Sequence, residues 1–269
     1  MLKTIFEIQT STHTIKIPAD DGKGAAIQSC TLTECVNSGE DLTLGSTCAN
    51  SLEATLMLVD GDLNIQAGDT VTVSKQLDNN TPIQVGVFVL EKPTRATANT
   101  MKITGYDNVS KLDKDLTLWL SGLEGWPYAL NEFAWMVCDA CGLTFQTSNV
   151  PNGNFEICQF SRSSVTGRQI MQWLGEICCR FCHADAQGNI EFAWYTDSGK
   201  TFSSSGEQYY FQNSLTYENF CTECIDAVQI RLASGENGTL HPNAADGANS
   251  YIMAIQWTRS KLCTCTLRA

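Results

Sequence analysis

The first 118 residues are cut into short β-like runs at near-regular intervals, and this rhythm limits the possible folds more than any other feature of the chain. Residues 12–17 alternate, with Thr14 and Lys16 opposite Ile15 and Ile17. Runs at 30–36, 52–59, 69–74, 83–90 and 101–106 follow, each β-branched or alternating. Gly, Asn and Asp punctuate them, as in Ser38-Gly39-Glu40-Asp41, Asp60-Gly61-Asp62 and Asp78-Asn79-Asn80. Six such strands with regular turn signals predict a small antiparallel barrel or sandwich.

The period then changes. From Pro127, apolar residues fall at Leu130, Phe133, Ala134, Val137, Cys138 and Cys141, the stripe of an amphipathic helix. Pro127 suits a first helical turn and Gly142 a C-terminal stop. A second helix is expected from Thr166, which has capping-box spacing with Gln169. Its stripe is Ile170, Trp173, Leu174, Ile177 and Cys178. It runs into a hairpin, 180–184 and 189–195, turning at Asp185-Ala186-Gln187-Gly188, with Ile190, Phe192 and Trp194 on one face. A polar joint at 196–207 precedes strand-like text at 227–233. A Gly/Asn-rich loop at 234–250 then leads to 251–256. Three units are expected: β (1–118), α+β (119–198) and β (199–269).

Hydrophobic residues make up 43% of the 269 and charged residues 17%, too apolar for a disordered chain. Asp+Glu outnumber Lys+Arg 29 to 17, a net charge of −12, which argues against a general attraction for phosphate backbones or anionic lipid. No stretch approaches 18 apolar residues, so no membrane span is expected. Residues 1–18 have no apolar h-region and no small-residue cleavage site, so no signal peptide is expected. The protein is then made in a reducing cytoplasm, where disulfides are rare.

That makes the 13 cysteines the tempting feature. Cys138/Cys141, Cys179/Cys182 and Cys221/Cys224 are Cys-x-x-Cys pairs, and Cys263-Thr264-Cys265 adds a closer one. Thiolate pairs can close a tetrahedral zinc site. Against this, Cys138 and Cys141 lie on a buried helix stripe, where cysteine acts as a small hydrophobe. Cys179-Arg180-Phe181-Cys182-His183 has the spacing of c-type haem attachment, but haem attachment normally needs export. In a strand, Cys179, Phe181 and His183 would face one way and Cys182 the other. The pair also lacks the βαβ context of a redox motif.

The three histidines, His13, His183 and His241, are scattered, with His13 and His241 in polar loop-like or edge text. Acid pairs such as Asp60/Asp62, Asp113/Asp115 and Glu132/Asp139 read as turn and surface residues. No dinucleotide, P-loop or zincin motif occurs. Trp119 and Trp126 flank a Gly-containing loop and are either a contact patch or a cover over the domain junction. No catalytic, cofactor-binding or metal-ligating residue is assigned, and no cofactor is expected.

One ordered set of motifs is more specific. Gly68-Asp69-Thr70-Val71-Thr72-Val73, then Pro82-Ile83-Gln84-Val85-Gly86-Val87-Phe88-Val89-Leu90, then Met101-Lys102-Ile103-Thr104-Gly105-Tyr106-Asp107 and Leu112-Asp113 resemble the first domain of tail-hub proteins of siphophages and prophages. The N-terminal region of prophage tail endopeptidases belongs to the same resemblance. Gly105 stands where the family usually has Ala. Ser51-Leu52-Glu53-Ala54-Thr55-Leu56, the hairpin Asp185–Phe192 and the strand Ile225-Asp226-Ala227-Val228-Gln229-Ile230 also resemble the family's elements, in the family's order.

The resemblance implies a mainly β fold with an α+β insert. Two tube-like antiparallel β-barrel domains would flank a small helix-and-hairpin domain, the second barrel incomplete or completed by a neighbour. It also implies a baseplate-hub-like structural protein, a trimer forming a pseudo-six-fold ring. Its expected partners are the tail tube or distal tail protein, the tape-measure protein and a tip fibre or spike. DNA would pass through the channel without specific binding, and the protein would sit at the tail tip of a virion. Family members often carry a C-terminal enzyme region for which 269 residues leave no room, so no enzymatic activity is expected. A cysteine-rich zinc protein and a cell-wall-directed tip component are the alternatives.

Overall fold

The computed structural model describes residues 2–10, 14–17, 26–36, 43–58, 63–77, 80–147 and 150–194. Beyond these it describes the backbone of three strands, 227–231, 237–241 and 250–254. The chain divides into two compact units, Met1–Tyr195 and Thr196–Ala269.

The first unit begins with β1 (Leu2–Gln9), β2 (Thr14–Ile17), β3 (Ala26–Thr33), β4 (Ser51–Met57), β5 (Thr70–Leu77), β6 (Ile83–Leu90), β7 (Thr94–Thr97) and β8 (Thr100–Asp107). They form one antiparallel sheet in the order β2-β1-β5-β6-β8-β4-β3, with β7 paired to β8. Among the described residues β2 and β3 end the path and do not pair with each other. Alternation puts Leu52, Ala54 and Leu56 of β4 on the inner face beside Met101 and Ile103 of β8, while Glu53 and Lys102 face out. With Phe6, Ile8, Val71, Val73, Phe88 and Leu90 they form the sheet's core. Each fully buried side chain of this size stabilises by about 1.5–3 kcal/mol.

β6 pairs with β8 only through Phe88, Val89 and Leu90. Gly105 makes this close approach possible, since a Cβ there would stand 2.9 Å from the Val89 carbonyl oxygen and 3.1 Å from Leu90. An alanine here would have to displace the Val89 backbone.

The sequence places five of these strands within a few residues, and 83–90 matches β6 at both ends. It misplaces β3, which lies at Ala26–Thr33 rather than 30–36, because its pattern is mostly polar and exposed. It misses β1, whose Phe6 and Ile8 point inward, and β7, all four residues of which are exposed.

A helix-and-hairpin lobe follows within the same unit. A 3₁₀ turn (Asn108–Asp113) leads to α1 (Thr117–Ser121), β9 (Tyr128–Ala129), α2 (Leu130–Ala140), β10 (Glu156–Ile157), α3 (Gly167–Cys178), β11 (Phe181–Ala184) and β12 (Ile190–Ala193). The α2 stripe buries Leu130, Phe133, Ala134, Val137 and Cys138, as the spacing predicts. Pro127 is not in its first turn. It follows a cis Trp126–Pro127 bond, and the extended pair β9 against β10 delays the helix to Leu130.

Gly142 (φ +71°) ends α2. Its N–H donates to the Asp139 carbonyl at 2.8 Å and that of Leu143 to Cys138 at 2.8 Å, the Schellman arrangement that satisfies the last free carbonyls. α3 starts on the expected capping box between Thr166 and Gln169. The hairpin turns where the sequence places it. Asp185 Oδ1 accepts from the Gln187 and Asn189 N–H groups, and Gly188 takes φ +85°.

The second unit holds β13 (Ala227–Arg231), β14 (Asn237–His241) and β15 (Ser250–Ala254) in the order β14-β13-β15. β13 and β15 run parallel, a departure from the all-antiparallel expectation. β14 lies inside the stretch read as a loop. Its Asn237-Gly238 is turn-like text, yet this backbone pairs with β13.

Candidate functional site

The most constrained place among the described residues is the seam where the sheet meets the lobe. The β3–β4 connection reaches across it. Gly45 N–H donates to the Arg180 carbonyl at 2.9 Å, Cys182 N–H donates to Ser46 at 2.9 Å, and Thr47 forms a parallel bridge with Cys182. Loop 45–47 thus lies beside β11 as a further strand. It also lies against the α3 backbone. A Cβ on Gly45 would stand 2.4 Å from the Gln172 carbonyl oxygen, and one on Gly175 would stand 2.8 Å from Gly45 Cα. Gly45 has φ +77°, a left-handed conformation natural to glycine.

Two charged residues organise the seam. Arg168, in the first turn of α3, places Nε and Nη2 on the two carboxylate oxygens of Asp113 at 2.6 and 2.9 Å. Its Nη1 donates to the Thr47 carbonyl at 2.7 Å and its Nη2 also to Val109 at 3.4 Å. The fork geometry of guanidinium suits this several-sided role. Asp107, at the end of β8, is buried. Its oxygens accept from the Asn50 N–H at 3.0 Å and the Val109 N–H at 3.0 Å, which caps the 3₁₀ turn. Burial pushes its carboxyl up to about 6, against the lowering influence of these two bonds and of Arg168 and His183. Sequence reasoning did not single out either residue. The available signal was the position of Asp107 two residues before Val109, an N-cap spacing, and it was absorbed into a strand motif.

The Cys-x-x-Cys pairs resolve differently. Cys138, Cys178 and Cys182 are buried in the lobe's core, and Cys141 and Cys179 are half-buried. Burial, then the neighbouring Cys141, pushes the Cys138 thiol up to about 12. Burial, then Cys179, does the same for Cys178. Burial raises Cys182 well above its ordinary value. Such thiols stay protonated and are poor nucleophiles. Cys179 is not in the hairpin strand. It ends α3 in a left-handed conformation, so the expected alternation starts only at Phe181. Among the described residues no three His, Cys, Asp or Glu side chains come together as a metal site. Cys221, Cys224, Cys263 and Cys265 lie outside the described residues, as do His13, Asp60 and Asp62.

His183 Nε2 lies 3.0 Å from Glu191 Oε1, across the hairpin. His241 lies in β14, an outer strand of its sheet among the described residues, in keeping with the edge reading. Asp113 serves Arg168, and Asp115 Oδ1 accepts from the Thr117 N–H at 2.8 Å. Trp119 and Trp126 are partly buried on Phe133 at 6.1 and 5.3 Å between ring centroids, and so cover the lobe's own core. Leu118 and Trp135 are the exposed apolar side chains of this lobe, at 87% and 55%. The arrangement binds elements together and presents edges and a few apolar side chains.

No protein-family model and no curated protein matches the chain. Among solved structures it is similar to the 43 kDa tail protein of prophage MuSo2 from Shewanella oneidensis. That match has TM-score 0.51 and 13% identity and covers 93% of this chain and 71% of that one. It also matches the tail protein from Neisseria meningitidis MC58 with TM-score 0.45, 7% identity and the same coverage. The resemblance to phage and prophage tail proteins read from short motifs thus reappears as a likeness of fold. The fold is one found in a prophage tail protein, and the first of the two matches carries that statement.

Proposed function

We propose that the chain is a structural subunit of a phage or prophage tail, acting as a hub at the tail tip. The observation that carries this reading is the fold likeness to a prophage tail protein over 93% of the chain. In the proposed assembly, three copies form a ring. Each copy contributes two tube-like β units, so the ring has pseudo-six-fold symmetry and joins the tail tube or distal tail protein to a fibre or spike. Barrels closed by strands of neighbouring copies would account for the outer edges of β2 and β3, which among the described residues pair with no further strand, since free edges invite pairing. The tape-measure protein and then DNA would pass through the lumen. The acidic balance, −12 per chain, would keep DNA from sticking to the wall. The role is architectural rather than catalytic.

Mass measurement and electron microscopy of the purified full chain test the reading. The expected result is a trimer with a central hole. A chain that stays monomeric at every concentration, or a ring whose lumen is basic, would overturn it.

A further inference from the structure

Asp107 is 3% exposed, yet among the described residues no ion pair neutralises it. Its carboxylate accepts from two backbone N–H groups, and the Arg168 guanidinium is committed to Asp113 and to the carbonyls of Thr47 and Val109. Three elements meet here: β8 ends at Asp107, the 3₁₀ turn starts after it, and Asn50 leads into β4. Asp107 lines a narrow open cleft together with Leu32 of β3, Glu34, Asn50, Phe88 of β6 and Asp185 of the hairpin turn. Water entering along that cleft would part the sheet from the lobe.

We propose that Asp107 is a proton-operated latch on this seam: with its carboxyl neutral the seam stays shut, and its ionisation favours the state in which water fills the cleft. A carboxylate held away from water is disfavoured relative to a neutral carboxyl, and opening relieves that penalty for the charged form alone. The charged and titratable groups around it are known. Arg168 from α3 and His183 from β11 favour the ionised form, though less than burial opposes it. Cys182 of β11 stays neutral and is itself raised partly by Asp107. Glu34 and Asp185 share the cleft, and Asp113 is taken by Arg168.

The closed state holds the proton up to about pH 6, and an opened, hydrated carboxyl releases it near its ordinary 3.8. Ionisation therefore favours opening as pH rises between these values. The opening equilibrium should climb about tenfold per pH unit across this window, to about 100-fold in total, and stay flat above it.

Amide hydrogen exchange of the full chain from pH 4.5 to 7.5, corrected for intrinsic rates, reads this directly. The expected result is that exchange at Asn50 and Val109 rises up to about pH 6 and then levels, while Val71 and Val73 in the middle of the sheet do not follow. D107N should abolish the rise. H183Q, which removes the imidazole that acts on Asp107, should leave it. A flat wild-type profile, a rise that survives D107N, or a rise shared equally by Val71 and Val73 overturns the latch. If D107N does not fold, carboxyl-carbon NMR of the wild type decides: an Asp107 midpoint near 6 supports the latch and one near 3.8 overturns it.

Discussion

Residues 2–107 and 108–194 bury their cores by different chemistry. The sheet's core is aliphatic with two phenylalanines, Phe6 and Phe88, and Cys30 packs half-buried against it. The lobe's core holds three buried cysteines and a chain of ring contacts running from Trp119 through Phe133 and Phe160 to Trp173. All six tryptophans fall at 119 or later, so the sheet has none. Each region has its own core, and what joins them is mostly polar and backbone-made (Asp107, Arg168 and the Gly45–Gly175 approach), with Ala49 packed on the lobe's core. Two cores with a polar seam give a unit whose halves can be perturbed separately.

The strongest test of that separation is Phe133→Ala. Phe133 is fully buried and touches four other rings, so truncation should destabilise the lobe by about 3–5 kcal/mol. Tryptophan fluorescence should lose its cooperative transition at lower denaturant while the β signal in circular dichroism persists. A single joint transition would mean that the halves are one cooperative block.

Next in size is Gly45→Ala, which sets a methyl group against the α3 backbone and forces a left-handed φ on alanine. It should cost about 3 kcal/mol and be felt in both regions, because it strikes the seam. Thr166→Ala removes the cap that only the lobe uses, and should lower the lobe's stability to urea by about 1 kcal/mol. Leu118→Ser should change stability by less than about 0.5 kcal/mol. If Leu118 serves an assembly contact, the change should appear instead as weaker association in sedimentation.

The same contrast explains what could be read in advance. The lobe's elements carry their signals locally: the stripe Leu130–Cys138, the Thr166/Gln169 box and Gly188 in its turn all act within a few residues. The sheet was legible where one face is apolar, as in β4, β6 and β8. It was not legible where a strand's partners supply its reason to exist, as in β7 and the polar β3, since pairing is a long-range property. The cysteines were legible as core residues on α2, where the helical period fixes a face. At Cys179 they were not, because the helix ends there in a conformation that no period encodes. Asp107 and Arg168 escaped notice because their meaning lies in what stands opposite them, on elements far along the chain.

The strand-like loop between β3 and β4 has a consequence for how the protein is made. Thr47 receives its Arg168 hydrogen bond from a residue 121 positions later, and the loop rests on an α3 backbone synthesised later still. This connection, at one edge of the sheet, thus cannot make its α3 and β11 contacts until most of the first unit has left the ribosome. Contacts this distant slow folding and leave early strands unprotected meanwhile. The two halves have separate cores, but the nascent chain must finish the second before it can fasten the first.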